Sequence, residues 1–357
     1  MKRLLFLLLL LAIIIAIPVY YKRGDIARSI VERSTLSEML TNPLVDLGPG
    51  LHVTLCGAGG PMPDPKRSGP CVAVVANQKL FIFHAGSGGA RILGLMRYPL
   101  SSIEAVFLSH YQSDHIDGLG EMATLRWVQG NHTSPMPVFG PTGVTDIVTG
   151  FNKVYARDAV YRNQHHGDDI APLSGHGMLA RPFPAPPAGE SLRIYDAGGV
   201  VIDTFSVDHA PVTPAVGYRV RYQGRSVLIS GDTRKSQTVE NMARNVDLLV
   251  HEALSRQLVG MVNAAAVKTN NRTMEKITQD IMDFHTSPLE AAEVARDAGA
   301  GHLLFYHVVP ALPMEALNPA WLDGVDIVFP KNTLGRDGTT ISLPAGSRDI
   351  IVVRRGL

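Results

Sequence analysis

The segment "LSHYQSDHIDG", residues 108–118, decides how the rest of the chain is interpreted. It closes an apolar run typical of a buried strand and brings His110, Asp114 and His115 close together. Histidine nitrogens and carboxylate oxygens are ligands for zinc, iron and manganese. The segment therefore predicts a metal-binding loop at the end of a strand, with Gln112 standing among the donors.

Later strands end in the same kinds of residue. His209, Asp232 and His307 each close an apolar run, and the pair His251 and Glu252 closes another. Because strand ends on one edge of an α/β sheet converge in space, these side chains are expected to join the segment quoted above in one site. A single histidine of this kind is usually structural, whereas the repeated pattern favours a metal centre.

Alternating short strands and helices predict an α/β fold for residues 50–357. The best-marked helix has Ser287 as its N-cap, Pro288 in its first turn and Glu290 completing a capping box. Residues 151–190 are rich in polar residues and proline, and they are interpreted as an irregular insertion or active-site loop.

Residues 1–23 differ from the rest of the chain. The apolar run Leu4–Val19 lies between basic residues, which favours an uncleaved membrane anchor, with a cleaved signal peptide and a buried core helix as alternatives. Residues 24–49 are interpreted as a tether with a short helical stretch. An export-type start predicts that the domain of residues 50–357 is periplasmic or otherwise extracytoplasmic, either anchored to the membrane or secreted after cleavage.

The formal net charge of +1 provides no overall basic field of the kind that attracts nucleic acid. The two cysteines, Cys56 and Cys71, flank a loop rich in glycine and proline. Two buried thiols are the favoured interpretation, and a disulfide is the alternative in an oxidising compartment.

Several motifs resemble those of one family. "SHYQSDHIDG" is similar to the HxHxDH loop of the metallo-β-lactamase superfamily, and "VDHAPVTPAVGYRV", "VLISGDT" and "LLFYHVVP" resemble its later metal-ligand segments. "HEA" (251–253) and "HTSPLEAAEVARDAGA" (285–300) resemble the ribonuclease Z and arylsulfatase-like branch. The matching motifs run in order from about residue 50 to residue 310.

The resemblance implies a four-layer αβ/βα sandwich, here preceded by an N-terminal hydrophobic helix. It also implies one or two zinc ions, or another divalent transition metal, at the edge of the sandwich. Carried over position by position, the residues of the first metal are His110, His209 and Gln112, those of the second are Asp114, His115 and His307, and the bridging ligand is Asp232.

The implied chemistry is hydrolysis of a phosphoester, a sulfate ester or a carboxyl ester (including lactones) by a metal-bound hydroxide. Asp114 is predicted to guide the proton of the attacking water. His285, paired with Glu252, is predicted to donate a proton to the leaving group. A small-molecule ester is the expected substrate. Nucleic acid is an unexpected partner, because the N-terminus is of export type, the charge is near neutral and no long basic arm is present. The oligomeric state is left open, a homodimer included.

The alternative function is that of a degenerate metallo-β-lactamase fold that binds a ligand or partner without turnover. Two departures from the family pattern favour this alternative. Gln112 stands where the family has a histidine, and His84 stands where it usually has an aspartate that supports the metal loop. One hypothesis is that His84 supplies, directly or through water, part of what Gln112 lost. The other is that both changes weaken the first site and leave a single metal.

Overall fold

The computed structural model describes residues 2–357. The chain divides into two compact units, Met1–Pro43 and Leu44–Leu357. In the first unit one helix, α1, extends over Lys2–Leu40, so the short helical stretch predicted in the tether belongs to a longer helix. No helix within the described part of the chain is both long and apolar enough to cross a bilayer, and the predicted anchor in residues 1–23 is not confirmed.

The second unit contains two β-sheets. Its strands are, in chain order, β1 Gly50–Gly57, β2 Cys71–Ala76, β3 Lys79–Phe83, β4 Ile103–Phe107, β5 Met136–Pro141, β6 Met178–Phe183, β7 Ser191–Ala197, β8 Val200–Ser206, β9 Val216–Tyr222, β10 Arg225–Ile229, β11 Leu248–Leu254, β12 His302–Val309, β13 Asn332–Leu334, β14 Thr339–Pro344 and β15 Ile351–Arg355. The first sheet has the order β15-β14-β1-β2-β3-β4-β5-β6, and the second has the order β13-β12-β11-β10-β9-β8-β7.

Helices lie between the strands along the chain. After α1 they are α2 Pro43–Asp46, α3 Gly89–Leu95, α4 Leu119–Gly130, α5 Val144–His166, α6 Gln237–Met242, α7 Arg256–Lys268, α8 Arg272–Asp280, α9 Pro288–Asp297, α10 Asn318–Trp321 and α11 Val325–Val328. Short 3₁₀ turns add to these, and one of them, Ser113–His115, lies within the metal-binding loop predicted for residues 108–118.

The main core lies between the two sheets, and strand β2 shows how it is built. Val72 and Val74 pack into the cluster shared with the second sheet, whereas Ala73 and Val75 pack on the opposite face, beneath α3 and α4. Successive side chains of a strand alternate between faces, so a strand buried on both sides is an uninterrupted apolar run. Helix α9 packs on the outer face of the second sheet. The predicted two-sheet α/β sandwich is confirmed.

Helix α9 begins as its sequence predicts. The hydroxyl of Ser287 accepts from the backbone N–H of Glu290, and the Glu290 carboxylate accepts from the backbone N–H of Ser287. The interpretation of residues 151–190 as irregular is wrong, because α5 continues to His166 and β6 follows it. Helix α5 is held by a small apolar cluster in which Ala159 packs against Trp127 of α4.

The favoured interpretation of the cysteines as free thiols is also wrong. Cys56 and Cys71 form a disulfide, with their Cα atoms 4.9 Å apart. The cause is the antiparallel pairing of β1 with β2, which brings Gly57 opposite Cys71 and shifts register between Leu55 and Gly57. Cys56 near the end of β1 and Cys71 at the start of β2 are thereby brought side by side.

Candidate active site

The candidate site lies where strands of both sheets end at one edge of the sandwich. From the first sheet, His84 follows β3 directly and His110 lies three residues beyond β4. From the second, His209 lies three residues beyond β8 and Asp232 three residues beyond β10. All four side chains are almost completely buried. The predicted convergence of strand ends therefore brings together donors that are far apart in sequence.

His307 reaches the site in a different way, since it lies within β12 rather than after it. Strands β11 and β12 pair in parallel, but their register shifts where Glu252 is opposite Tyr306 and Ala253 is opposite Val308. His307 is the extra residue of this bulge, and its φ is 47°. Bulges of this kind redirect a side chain, and here the redirected ring joins the site.

Four donors lie close together, and we call them the four-donor set: Asp114, His115, Asp232 and His307. Nε2 of His115 lies 3.5 Å from Oδ2 of Asp114 and 3.2 Å from Oδ2 of Asp232. Nε2 of His307 lies 3.4 Å and 3.2 Å from the same two oxygens. A tetrahedral zinc site with bonds of about 2.0–2.1 Å has ligand atoms about 3.3 Å apart, and these four nitrogen–oxygen distances are close to that spacing.

The hydrogen bonding of the four-donor set also fits a metal. Nε2 of His115, Oδ1 of Asp232 and Nδ1 of His307 are buried and have no hydrogen-bond partner among the described residues. Buried polar atoms without partners destabilise a fold unless a cation or another group satisfies them. The ligand atoms of Asp114, His115 and His307, three members of the set, lie within 4.8 Å of one another, and so do those of His115 and Asp232 with His110.

Electrostatics within the set point to a required positive charge. Burial alone raises the pKa of the Asp232 carboxyl, but His307 and His115 outweigh it and hold that pKa well below its usual range. Burial lowers the pKa of His307, but Asp232 and Asp114 outweigh it and raise that pKa to about 10. One buried and one partly buried carboxylate thus need a cation beside them, which either an imidazolium or a metal ion can supply.

The first-metal residues are arranged differently. Oε1 of Gln112 lies 3.0 Å from Nε2 of His110 and 3.0 Å from Nε2 of His209. His209 is 4.0 Å from Oδ2 of Asp232, farther than either histidine of the four-donor set. Burial lowers the pKa of both His110 and His209, which favours their neutral forms. The amide of Gln112 therefore sits between two neutral imidazoles.

His285 and Glu252 form the predicted pair. Nδ1 of His285 lies 3.1 Å from Oε2 of Glu252, which is completely buried in β11. The other carboxylate oxygen accepts from the backbone N–H groups of Thr286, at 3.0 Å, and Thr233, at 3.3 Å. A ring nitrogen of His285 also lies within 4.8 Å of ligand atoms of Asp232 and His307.

The hydrogen-bond partners of the His84 ring are His115 and Tyr306, and the hypothesis that His84 compensates for Gln112, directly or through water, stays a prediction. Nδ1 of His84 is 3.0 Å from Nδ1 of His115, and its Nε2 is 3.3 Å from the hydroxyl of Tyr306. The turn after β3, where His84 has a φ of 62°, directs the ring toward the four-donor set. His84 therefore contacts a residue of the second metal, not of the first.

Sequence reasoning did not identify two residues that hold these ligands. Tyr306 contacts His84, and the hydroxyl of Ser109 lies 2.8 Å from Nδ1 of His110. Each is the immediate neighbour in sequence of a predicted ligand, and that adjacency is the only signal that could have indicated them. A supporting role depends on where the side chain points, which the residue type does not reveal.

A family model described as Beta-lactamase superfamily domain matches residues 88–308. Ribonuclease Z from Mycobacterium bovis (strain BCG / Pasteur 1173P2) is 34% identical over 266 residues, which cover 73% of this chain and 87% of that protein. Ribonuclease Z from Mycolicibacterium paratuberculosis (strain ATCC BAA-968 / K-10) is 33% identical over the same length, with the same shares.

Two solved structures share the fold. The short form of human tRNase Z superposes with a TM-score of 0.59 and 20% identity, covering 82% of this chain and 99% of that one. The metallo-β-lactamase fold protein YhfI from Bacillus subtilis has a TM-score of 0.56 and 19% identity, with 81% and 98% covered. At these identities the two structures support the fold alone.

These findings correct one expectation and decide between two others. The expectation of a small-molecule ester substrate, with nucleic acid excluded, is wrong, because the relatives are named for an activity on RNA. The net charge did not predict the substrate class, because it is an average over the whole chain and does not describe the surface around a site. The same relatives favour a hydrolase over a non-catalytic binding protein. The chain therefore belongs to the metallo-β-lactamase superfamily, in its ribonuclease Z-like branch, and is a metallo-hydrolase.

Proposed function

We propose that this protein is a zinc-dependent ribonuclease that hydrolyses phosphodiester bonds of RNA. The observation that carries the proposal is the placement of the His285–Glu252 pair beside the four-donor set, within 4.8 Å of two of its ligand atoms. A site for a cation and a site for a proton donor are thus adjacent, which is what cleavage of a phosphodiester with a poor leaving group needs. The relatives named ribonuclease Z support RNA as the substrate class.

In this proposal the four-donor set holds zinc, which is bound by histidine and carboxylate ligands of this kind. When bound, zinc supplies Lewis-acid stabilisation of the negative charge on a phosphoryl oxygen. The buried rings of His115 and His307 would fix the position of the zinc ion and therefore of its positive charge. Their partner Asp232 is ionised throughout the neutral range, because its pKa is held low.

The proton steps are assigned to two residues. The pKa of Asp114 is lowered to about 2, because His115 and His307 outweigh the effect of burial, so its carboxylate is ionised at neutral pH and can orient an attacking water by accepting a hydrogen bond. Glu252 accepts the Nδ1–H of His285, and in the imidazolium form the ring gives its second proton, on Nε2, to the leaving oxygen and returns to the neutral form. Cleavage in this scheme depends on both residues.

The location of the protein is a second part of the proposal. We assign the sandwich to an oxidising, extracytoplasmic compartment, supported by the Cys56–Cys71 disulfide and by the export-type sequence of residues 1–23. Alkylation of cysteines in intact cells, followed by mass spectrometry without reductant, tests it. Unmodified, disulfide-linked cysteines are expected, and two alkylated cysteines would contradict the assignment.

The activity is tested with the full-length protein and a labelled RNA hairpin that carries a single-stranded 3′ tail. Zinc-dependent cleavage is expected, with loss of activity in a chelator and in His307→Ala. The same sequence made as DNA is the substrate control. Absence of chelator-sensitive RNA cleavage would refute the proposal, and equal cleavage of RNA and DNA would refute its specificity for RNA.

A further inference from the structure

We infer that the centre holds one metal ion, in the four-donor set, and that the side-chain amide of Gln112 takes the place of a metal at the first position. The inference rests on the proposed function only in assuming that the centre binds zinc. The side-chain oxygen of Gln112 lies 3.0 Å from Nε2 of His110 and 3.0 Å from Nε2 of His209. How these three side chains interact depends on which ring nitrogens carry hydrogen.

The tautomer of His209 follows from its contact with the backbone. Its Nδ1 lies 3.0 Å from the carbonyl oxygen of Phe284. Because a carbonyl oxygen can only accept, Nδ1 must carry the hydrogen. In the neutral ring Nε2 then has a free lone pair, and this lone pair faces the amide of Gln112.

His110 has a matching arrangement. Its Nδ1 is 2.8 Å from the hydroxyl of Ser109, which can accept the Nδ1–H or donate to a bare Nδ1, and we assign the tautomer in which the hydroxyl accepts. Nε2 of His110 then also presents a lone pair to Gln112, at 3.0 Å. Two acceptors thus converge on one side-chain amide.

An amide oxygen facing two lone pairs is repulsive, whereas an amide NH₂ is complementary to them. Rotation of the Gln112 amide by 180° about its last bond exchanges oxygen and nitrogen without moving other atoms. The NH₂ group then donates one hydrogen to His110 and one to His209. Two donors meet two acceptors, so the buried nitrogens are satisfied with no cation between them.

The remaining geometry favours the second position for the metal. Oδ2 of Asp232 lies 3.2 Å from both His115 and His307 but 4.0 Å from His209. At the first position the amide lies as close to the two imidazoles as zinc ligands lie to one another, but glutamine is not among the residues that usually bind zinc. The second position has only carboxylate and imidazole donors, and its nitrogen–oxygen distances of 3.2–3.5 Å are close to the spacing of zinc ligands.

The test is the number of zinc ions per chain in the full-length protein, measured by mass spectrometry of the metal after dialysis. One zinc is expected in the wild type and two in Gln112→His, which restores an imidazole. Two zinc ions in the wild type would overturn the inference, and so would none. One zinc in both proteins would also overturn it, since Gln112 would then not be what excludes the other ion.

A pair of variants locates the ion. His209→Ala is expected to keep one zinc, and His307→Ala is expected to lose it, with circular dichroism confirming that each variant is folded. Loss of zinc in His209→Ala with retention in His307→Ala would place the metal at the first position and overturn the inference. If either variant fails to fold, the wild-type and Gln112→His counts still decide. No RNA is used, so failure of this inference is distinct from failure of the ribonuclease proposal.

Discussion

Replacing Glu252 by glutamine is the sharpest test of how this site moves protons. The glutamine side chain has nearly the same size, and its oxygen can still accept from the backbone N–H groups of Thr233 and Thr286. Its NH₂ group would then face Nδ1 of His285, where a carboxylate oxygen now lies at 3.1 Å. Donor would meet donor, and His285 would lose the charge that orients its ring.

The expected loss of kcat follows from the one hydrogen bond that changes, between Glu252 and His285. Hydrogen bonds to charged groups contribute about 1.5–3 kcal/mol. If His285 donates its proton in the rate-limiting step, that loss lowers kcat by a factor of about 10–150. The zinc content should stay unchanged, because the hydrogen bonds of the Glu252 carboxylate go to Thr233, His285 and Thr286 and not to the four-donor set.

The assay compares two substrates in wild type and Glu252→Gln. An RNA oligonucleotide has a poorly acidic leaving group and needs a proton donor, whereas a bis(nitrophenyl) phosphodiester has an acidic leaving group and needs one far less. We expect the full loss of kcat on RNA and a much smaller loss on the nitrophenyl ester. Glu252→Asp, which keeps the negative charge, is the matched control and should recover part of the activity.

Equal losses on both substrates would refute the reasoning, since a general structural defect slows both reactions alike. An unchanged kcat on RNA would refute it as well. A loss of bound zinc would show that Glu252 acts on the metal ligands instead, and the proton-donor assignment would fall.

Three further predictions concern metal binding and stability. His84→Ala leaves Nδ1 of His115 without its buried partner, and we expect zinc affinity, measured by competition with a chelating dye, to fall about 10–100-fold. Replacing Cys56 and Cys71 by alanine opens the crosslink across a sequence separation of 15 residues, and the free energy of unfolding in denaturant should fall by about 3 kcal/mol. Ser287→Ala removes the N-cap acceptor of α9 and should lower the same quantity by about 1 kcal/mol.

Two of these have a matched control variant. His84→Asp keeps an acceptor and tolerates the left-handed backbone, so it should retain zinc affinity, and an Ala variant that binds as well as wild type would exclude a supporting role for His84. Ser287→Thr should keep the cap. A cysteine-free protein as stable as wild type would mean that the crosslink adds nothing to the fold.

The sequence by itself determined features whose causes are local. The capping box of α9 needs only Ser287 and Glu290, three residues apart, so it could be predicted with its hydrogen bonds. The donors at strand ends could be predicted because an apolar run followed by histidine or aspartate specifies both a strand and its exit. The order of these donors along the chain, matched to a known family, was enough to predict a two-sheet sandwich with a metal centre at its edge.

The tertiary structure decided how those donors are used. Gln112 and His209 are separated by 97 residues, and only their meeting shows that one amide lies between two imidazoles. His307 needs a register shift between two strands to turn into the site, and His84 needs its own turn to reach His115. These are distances and directions between side chains that lie far apart in sequence. They are set only when both sheets pack on one core. Residue types establish that a metal can bind here, whereas packing geometry decides at which position.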